Sequence, residues 1–200
     1  QILRQSAVNI LLSLGEFFAI LIAGIDLSVG AVAGLTGMIA AKLMVAGVPV
    51  GAAIFVCILT GTAIGWINGT LVNKTGLHPF IITLGTQSIF FGIMLVVSNS
   101  RNVFGFPASF STLMNASLLF VPVPVVIALF CWFFTTKTKA GRNVYALGGD
   151  IQSAWFFGVN VDLHRLIVFM ISGTCSGIAG IVLLGRLGAA APTAGTGYET

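Results

Sequence analysis

Long apolar runs broken by short polar interruptions dominate this chain. Six runs stand out, at residues 7–25, 27–41, 51–72, 80–97, 118–134 and 166–184. Within each run apolar side chains fall on every face. The period-two alternation of a barrel strand is absent, so the expected elements are helices. A helix needs about 17–25 residues to cross the hydrocarbon core of a bilayer. Five runs are long enough, and 27–41 is short unless it continues past Lys42 towards Ala46. The expected fold class is all-α: a polytopic transmembrane helical bundle of about six membrane segments, forming one domain over residues 1–200.

The interruptions add detail. Between the first two runs there is almost no loop, only residues 24–30 with a glycine at each end. Residues 42–50 hold Gly47 and Pro49, and residues 98–117 hold Gly105 and Pro107. Gly76 suits the left-handed position that stops a helix, and Pro79 suits the first turn of the next. Residues 135–165 form the longest and most charged gap. There Gly148-Gly149-Asp150 reads as a turn followed by an N-cap, and the next seven residues as a short helix ended by Gly158. That helix carries Trp155, Phe156 and Phe157 yet is too short to span, so it needs a partner surface or the membrane interface, where aromatic residues collect. Glycines recur every fourth residue at Gly61, Gly65 and Gly69, at Gly30 and Gly34, and at Gly173 and Gly177. Such rows let helix backbones approach closely in lipid.

Composition excludes most alternatives. The chain is 57 % hydrophobic and 7 % charged, against about 25 % charged in soluble domains. Fourteen charges cannot cover a soluble surface, the apolar content opposes disorder, and the scattered basic residues form no nucleic-acid stripe. Lys137, Lys139, Arg142 and Arg165 flank the longest gap, which places residues 135–165 in the cytoplasm by the positive-inside rule. Alternation then puts Lys74 inside and Arg4, Lys42, Arg101 and Arg186 outside. It also starts the chain outside, so an upstream helix is expected, and the sequence reads as a fragment. Cys57, Cys131 and Cys175 sit alone in apolar runs and read as small buried hydrophobes.

Few residues could carry chemistry. Charges within a membrane are costly and usually functional. Glu16, in the first run, could contact a substrate or proton, or make an interhelical hydrogen bond. Asp26, in the glycine-flanked break, could line a path or brace the break, and Asp26 or Ser28 could cap the second helix. Asn68, Thr83, Thr86 and Gln87 could hydrogen-bond a sugar-like solute or join helices, at about 0.6–2 kcal/mol each. His78 and His164 lack metal-ligand spacing, so no metal site is expected. Gly173–Gly177 lacks the spacing of a nucleophile elbow, and no phosphate-binding loop occurs, so the chain is not expected to be an enzyme or to bind a cofactor. Residues alone leave open a proton-coupled secondary transporter using Glu16 and Asp26.

Three longer stretches resemble the permease subunits of the ribose-type branch of ABC sugar importers: residues 24–30 (GIDLSVG), 141–158 (GRNVYALGGDIQSAWFFG) and 188–199 (GAAAPTAGTGYE). Residues 77–86 (LHPFIITLGT) and 197–200 (GYET) are similar to the allose-type members. The resemblance implies a multi-pass inner (plasma) membrane protein that passes a monosaccharide. It implies a second permease subunit, as a homodimer, a periplasmic sugar-binding protein outside, and an ABC ATPase subunit inside that uses the ATP. The helix after Gly149 would be the coupling helix of the 135–165 loop, with Gly148, Gly149, Asp150, Ser153, Ala154 and Gly158 meeting the ATPase. Glu16, Asp26, Ser28, Asn68, Thr83 and Gln87 would line the translocation path or brace the helix break. The family usually has Asn at 150, Ala-Ala at 153–154 and Ser-Gly at 157–158, and it continues into further membrane helices.

Overall fold

The computed structural model describes residues 2–115 and 120–198. The side chain of Arg4, the first positions of the 118–134 run, and Glu199 and Thr200 lie outside the described residues. The elements are α1 (Ile2–Leu21), α2 (Val29–Val45), α3 (Val50–Thr75), α4 (Pro79–Ser98), α5 (Ala108–Asn115), α6 (Pro122–Lys137), α7 (Lys139–Gly149), α8 (Ile151–Phe156) and α9 (Val161–Leu187). The all-α bundle is as expected. The number of helices that can span is smaller than six. α3, α4 and α9 are each long and apolar enough to cross a membrane, and α6 with α7, bent by 77°, makes up to a fourth. α1 and α2 are apolar but shorter over Gln5–Leu21 and Val29–Val45. α2 does run past Lys42, yet it stays short because it starts inside the bundle.

α9 is the central helix. Its apolar window is 67 % buried, against 28 % for α3 and α4, whose outer faces are left for lipid. It packs on α1, α2 and α3. The glycine rows make the α3–α9 contact possible: a Cβ on Gly173 would fall 2.9 Å from the Gly65 nitrogen, and one on Gly177 would fall 3.1 Å from the Cys57 carbonyl oxygen. Gly37 meets the Gly180 backbone in the same way on α2. All three cysteines are free and buried.

Helix ends follow local chemistry. Gly76 stops α3 in the left-handed conformation, and Pro79 opens α4 while His78 Nδ1 accepts from the Phe80 N–H. The 135–165 segment is mostly helical, a correction to its reading as a gap, and Gly148 and Gly149 lie in the last turn of α7 instead of a turn. The reason is a cap at each start. Thr138 Oγ1 accepts from the Gly141 N–H at 3.0 Å, and Asp150 Oδ1 accepts from the Gln152 N–H at 2.8 Å. α8 is the expected short helix, with Gly158 beyond it at φ 81°.

Charges sort to two ends. Asn73 Nδ2 donates to the Asp162 carbonyl at 2.8 Å, which puts Lys74 beside the start of α9, near α8. Val103 pairs with Ala190, and Lys42 lies by Asn102 and Phe104, so Lys42, Arg101 and Arg186 share the other end. The two ends match the charge-based partition. Two apolar clusters fill the bundle, one around Leu12, Val29, Ile64 and Ala179, the other around Phe18, Val72, Val168 and Phe169. A polar layer lies between them along the chain.

Candidate functional site at the helix break

The chain turns back between α1 and α2, with Ala23 in the left-handed region at φ 57°. The turn lies inside the bundle, so its free N–H groups need internal acceptors. Glu16 supplies two, since both carboxylate oxygens accept from the Asp26 N–H at 3.1 Å. Thr83 Oγ1 accepts from the Leu27 N–H at 3.2 Å and lies 3.1 Å from the Ile25 carbonyl as its donor. Asp26, only 3 % exposed, accepts the Ser28 N–H at 3.0 Å and the Ser28 hydroxyl at 2.6 Å on Oδ1. Its Oδ2 accepts the Ser172 hydroxyl at 2.7 Å. Asn68 Nδ2 donates to Ser28 Oγ at 2.8 Å.

Glu16, Asp26, Ser28, Asn68 and Thr83 therefore come together. Thr86 and Gln87 are buried one turn along α4: Thr86 Oγ1 donates to the Thr83 carbonyl at 3.2 Å, and Gln87 stands apart from this network. Of the two capping candidates, Asp26 accepts the N–H of Ser28 at the start of α2, whereas Ser28, at the N-cap position, makes no side-chain cap bond, because its hydroxyl is taken up by Asp26 and Asn68. Ser172 was not legible. It lies 146 positions from Asp26, and no local spacing links them.

Next to the break a half-open cleft of about 450 Å³ runs along α1, lined by Gln5, Asn9, Ser13, Glu16, Asp26 and Tyr198 among others. Its volume lies in the usual range for small-molecule sites, about 300–1,000 Å³. Among the described residues the lining carries no Lys, Arg or His. At residue 198, Arg186 donates to the Tyr198 hydroxyl at 2.9 Å. Gln5, Asn9 and Ser13 also escaped the sequence reading, although their four-residue spacing marks one helix face.

The second candidate region is α8. Asp150 accepts from the Ser153 N–H, the Ser153 hydroxyl and the Gln152 N–H, which holds its carboxyl below the ordinary 3.8. Ala154 is buried against the bundle, and a Cβ on Gly148 would collide with the Leu21 carbonyl. Both face inward. The outward face consists of Trp155, Phe156 and Phe157, at 64 %, 78 % and 88 % exposure. Among the described residues no group of His, Cys, Asp and Glu could hold a metal ion.

Along residues 1–200 the chain matches the family described as branched-chain amino acid transport system / permease component. It belongs to this permease family. The permease is 56 % identical to the D-allose transport system permease protein of Escherichia coli (strain K12), over 100 % of this chain and 63 % of that protein. It is 39 % identical to the ribose import permease protein of Haemophilus influenzae, over 99 % and 64 %. It is 33 % identical to the galactose/methyl galactoside import permease protein of Escherichia coli (strain K12), over 99 % and 66 %. The chain thus spans less than two thirds of the length of the first two relatives. No solved structure matches. Within the permease, the start of α2 meets the segment around residues 194–195: the Ala194 carbonyl sits over Gly34 and the Gly30 carbonyl over Gly195, both too close for a side chain.

Proposed function

We propose that this chain is the membrane-spanning permease subunit of an ATP-driven importer for a neutral monosaccharide of the allose or ribose type. It would lie in the inner membrane, pair with a second permease subunit, receive sugar from a periplasmic binding protein, and contact an ABC ATPase through α8. The observation that carries this reading is the 56 % identity to a D-allose permease along the whole chain. The cleft supports the substrate class. An amino acid would bring a carboxylate that calls for a cationic partner, whereas a neutral polyol needs hydroxyl partners and no cation. The chain itself is read as a transport subunit and not an enzyme, with ATP hydrolysis on the partner. Glu16 and Asp26 both serve the break as acceptors, which favours this reading over proton coupling.

The test is uptake by cells that carry the full-length protein with its cognate ATPase and binding protein. Radiolabelled D-allose or D-ribose should enter and L-leucine should not. Disabling ATP hydrolysis should abolish entry. Uptake that survives the loss of the ATPase and follows the proton gradient would overturn the reading.

A further inference from the structure

We infer that Gln5, Asn9, Ser13 and Glu16 form a ladder of sugar-hydroxyl contacts along α1, ending at the carboxylate that closes the helix break. The inference rests on the permease reading and assigns that reading its contact residues. These differ from the buried set of Asp26, Ser28, Asn68 and Thr83, whose side chains bond one another and the backbone of the break, with Asn68 Oδ1 alone left buried without a partner among the described residues.

Three observations carry it. The four residues are spaced by four, four and three, so they lie on one face of α1. At 1.5 Å per residue they extend about 16 Å, roughly half the hydrocarbon thickness. They line one cleft, and Gln5, Asn9 and Ser13 are exposed in it. Finally, their side chains are available. Thr36, Thr60, Thr62, Thr135 and Ser176 each donate to a carbonyl of their own helix. Gln5, Asn9 and Ser13 have no such bond among the described residues, and Glu16 bonds only the Asp26 N–H. Exposed amide and hydroxyl groups with no internal partner are costly against lipid and suited to water or a polyol. Their neutrality, with one carboxylate at the inner end, fits a sugar hydroxyl array and repels anions.

Two measurements test this in the full-length transporter. In the first, Asn9→Cys and Ser13→Cys are treated with a membrane-impermeant thiol reagent. Cys57, Cys131 and Cys175 are buried, and the unsubstituted full-length protein treated in parallel supplies the background. Both new thiols should be labelled, while Leu59→Cys, 56 % exposed on the outer side of α3, should not. Absence of labelling at 9 and 13, or ready cross-linking of Asn9→Cys between two copies, would overturn the ladder by assigning the stripe to lipid or to a subunit interface. In the second, Asn9→Leu and Ser13→Ala are assayed for initial uptake of radiolabelled D-allose and D-ribose. Each should lower the rate about tenfold, the equivalent of one lost hydrogen bond of about 1.4 kcal/mol, whereas Ser13→Thr should keep it. Unchanged uptake in both variants beside an active wild type would sink the ladder and leave the permease reading standing. A wild type that imports neither sugar would sink the sugar reading, and the labelling result would still decide whether the stripe is aqueous.

Discussion

Gly173→Ala tests whether backbone contact between α3 and α9 sets the packing of the bundle. A Cβ at residue 173 would overlap the Gly61 carbonyl oxygen and sit 2.9 Å from the Gly65 nitrogen. Ordinary contact begins near 3.4 Å, so the Gly65 nitrogen alone demands a parting of about 0.5 Å and the closer Gly61 oxygen demands more, and neither backbone has a flexible end to yield. Overpacking of this kind costs about 1–3 kcal/mol. The same change removes the intrinsic helix penalty of glycine, a gain of about 0.8–1.0 kcal/mol. Gly85→Ala on α4 is the matched reference, since a Cβ there meets nothing within 4 Å and only the gain remains. Subtracting the two variants cancels the propensity effect and leaves about 1–3 kcal/mol of overpacking. Unfolding of the full-length protein in mixed detergent micelles reads that difference. Two variants within about 0.5 kcal/mol of each other, the range of changes that touch nothing, would refute the close α3–α9 approach.

Three further outcomes are expected. Ser172→Ala strips Asp26 Oδ2 of its donor and should lower stability by about 1–3 kcal/mol in the same assay, the usual cost of a buried acceptor left without a partner. Phe156→Glu should abolish co-purification of the ATPase while leaving the unfolding midpoint unchanged, because the ring is 78 % exposed, whereas Ala154→Asp should lower the midpoint itself, because Ala154 is buried. The Asp150 cap should be pH-dependent in one direction: its carboxyl is held below 3.8, chiefly by the Ser153 N–H, so the cap's contribution is present above about pH 4 and is lost as pH falls through the depressed value. Hydrogen exchange at the Gln152 and Ser153 amides should show that loss in the wild type, and Asp150→Asn should remove the pH dependence.

What could be read in advance was local. Six apolar runs became helices, Gly76 and Pro79 bounded α3 and α4, and the aromatic triplet after Asp150 landed on an exposed helix. These follow from hydropathy and from chemistry within a few residues. Misreadings arose where the deciding partner was distant or the signal small. Thr138 caps α7 through one hydroxyl, which hid a helix inside an apparent loop. Ala154 and Gly148 lie in a stretch that resembles a coupling segment, yet tertiary packing turns both towards the bundle. Ser172 meets Asp26 across 146 positions, a link that no helix period encodes. Gln5, Asn9 and Ser13 were legible by spacing, but a neutral polar stripe is easily overlooked beside two acids.

The polar layer explains why a helix break and a glycine-rich bundle occur together. Apolar contacts tolerate small slides, because their energy depends on area and not on direction. Hydrogen bonds do not, since they weaken steeply with distance and angle. A serine hydroxyl has one proton, so the 2.6 Å bond to Asp26 fixes Ser28 Oγ as the acceptor of Asn68 Nδ2 and gives the chain from Asn68 through Ser28 to Asp26 one sense. Together with Ser172 and Thr83, it pins α2, α3, α4 and α9 at one level between two apolar clusters. A shift of one helix by a single residue, about 1.5 Å, would break these bonds and leave most apolar contact intact. The layer therefore favours discrete arrangements over gradual sliding, the kind of element a transporter that rocks rigid bodies requires. Glu16 belongs both to this layer and to the cleft. A hydroxylated solute that reached the cleft floor would compete for the carboxylate that holds the Asp26 N–H, so occupancy of the cleft and closure of the break would oppose each other at one side chain.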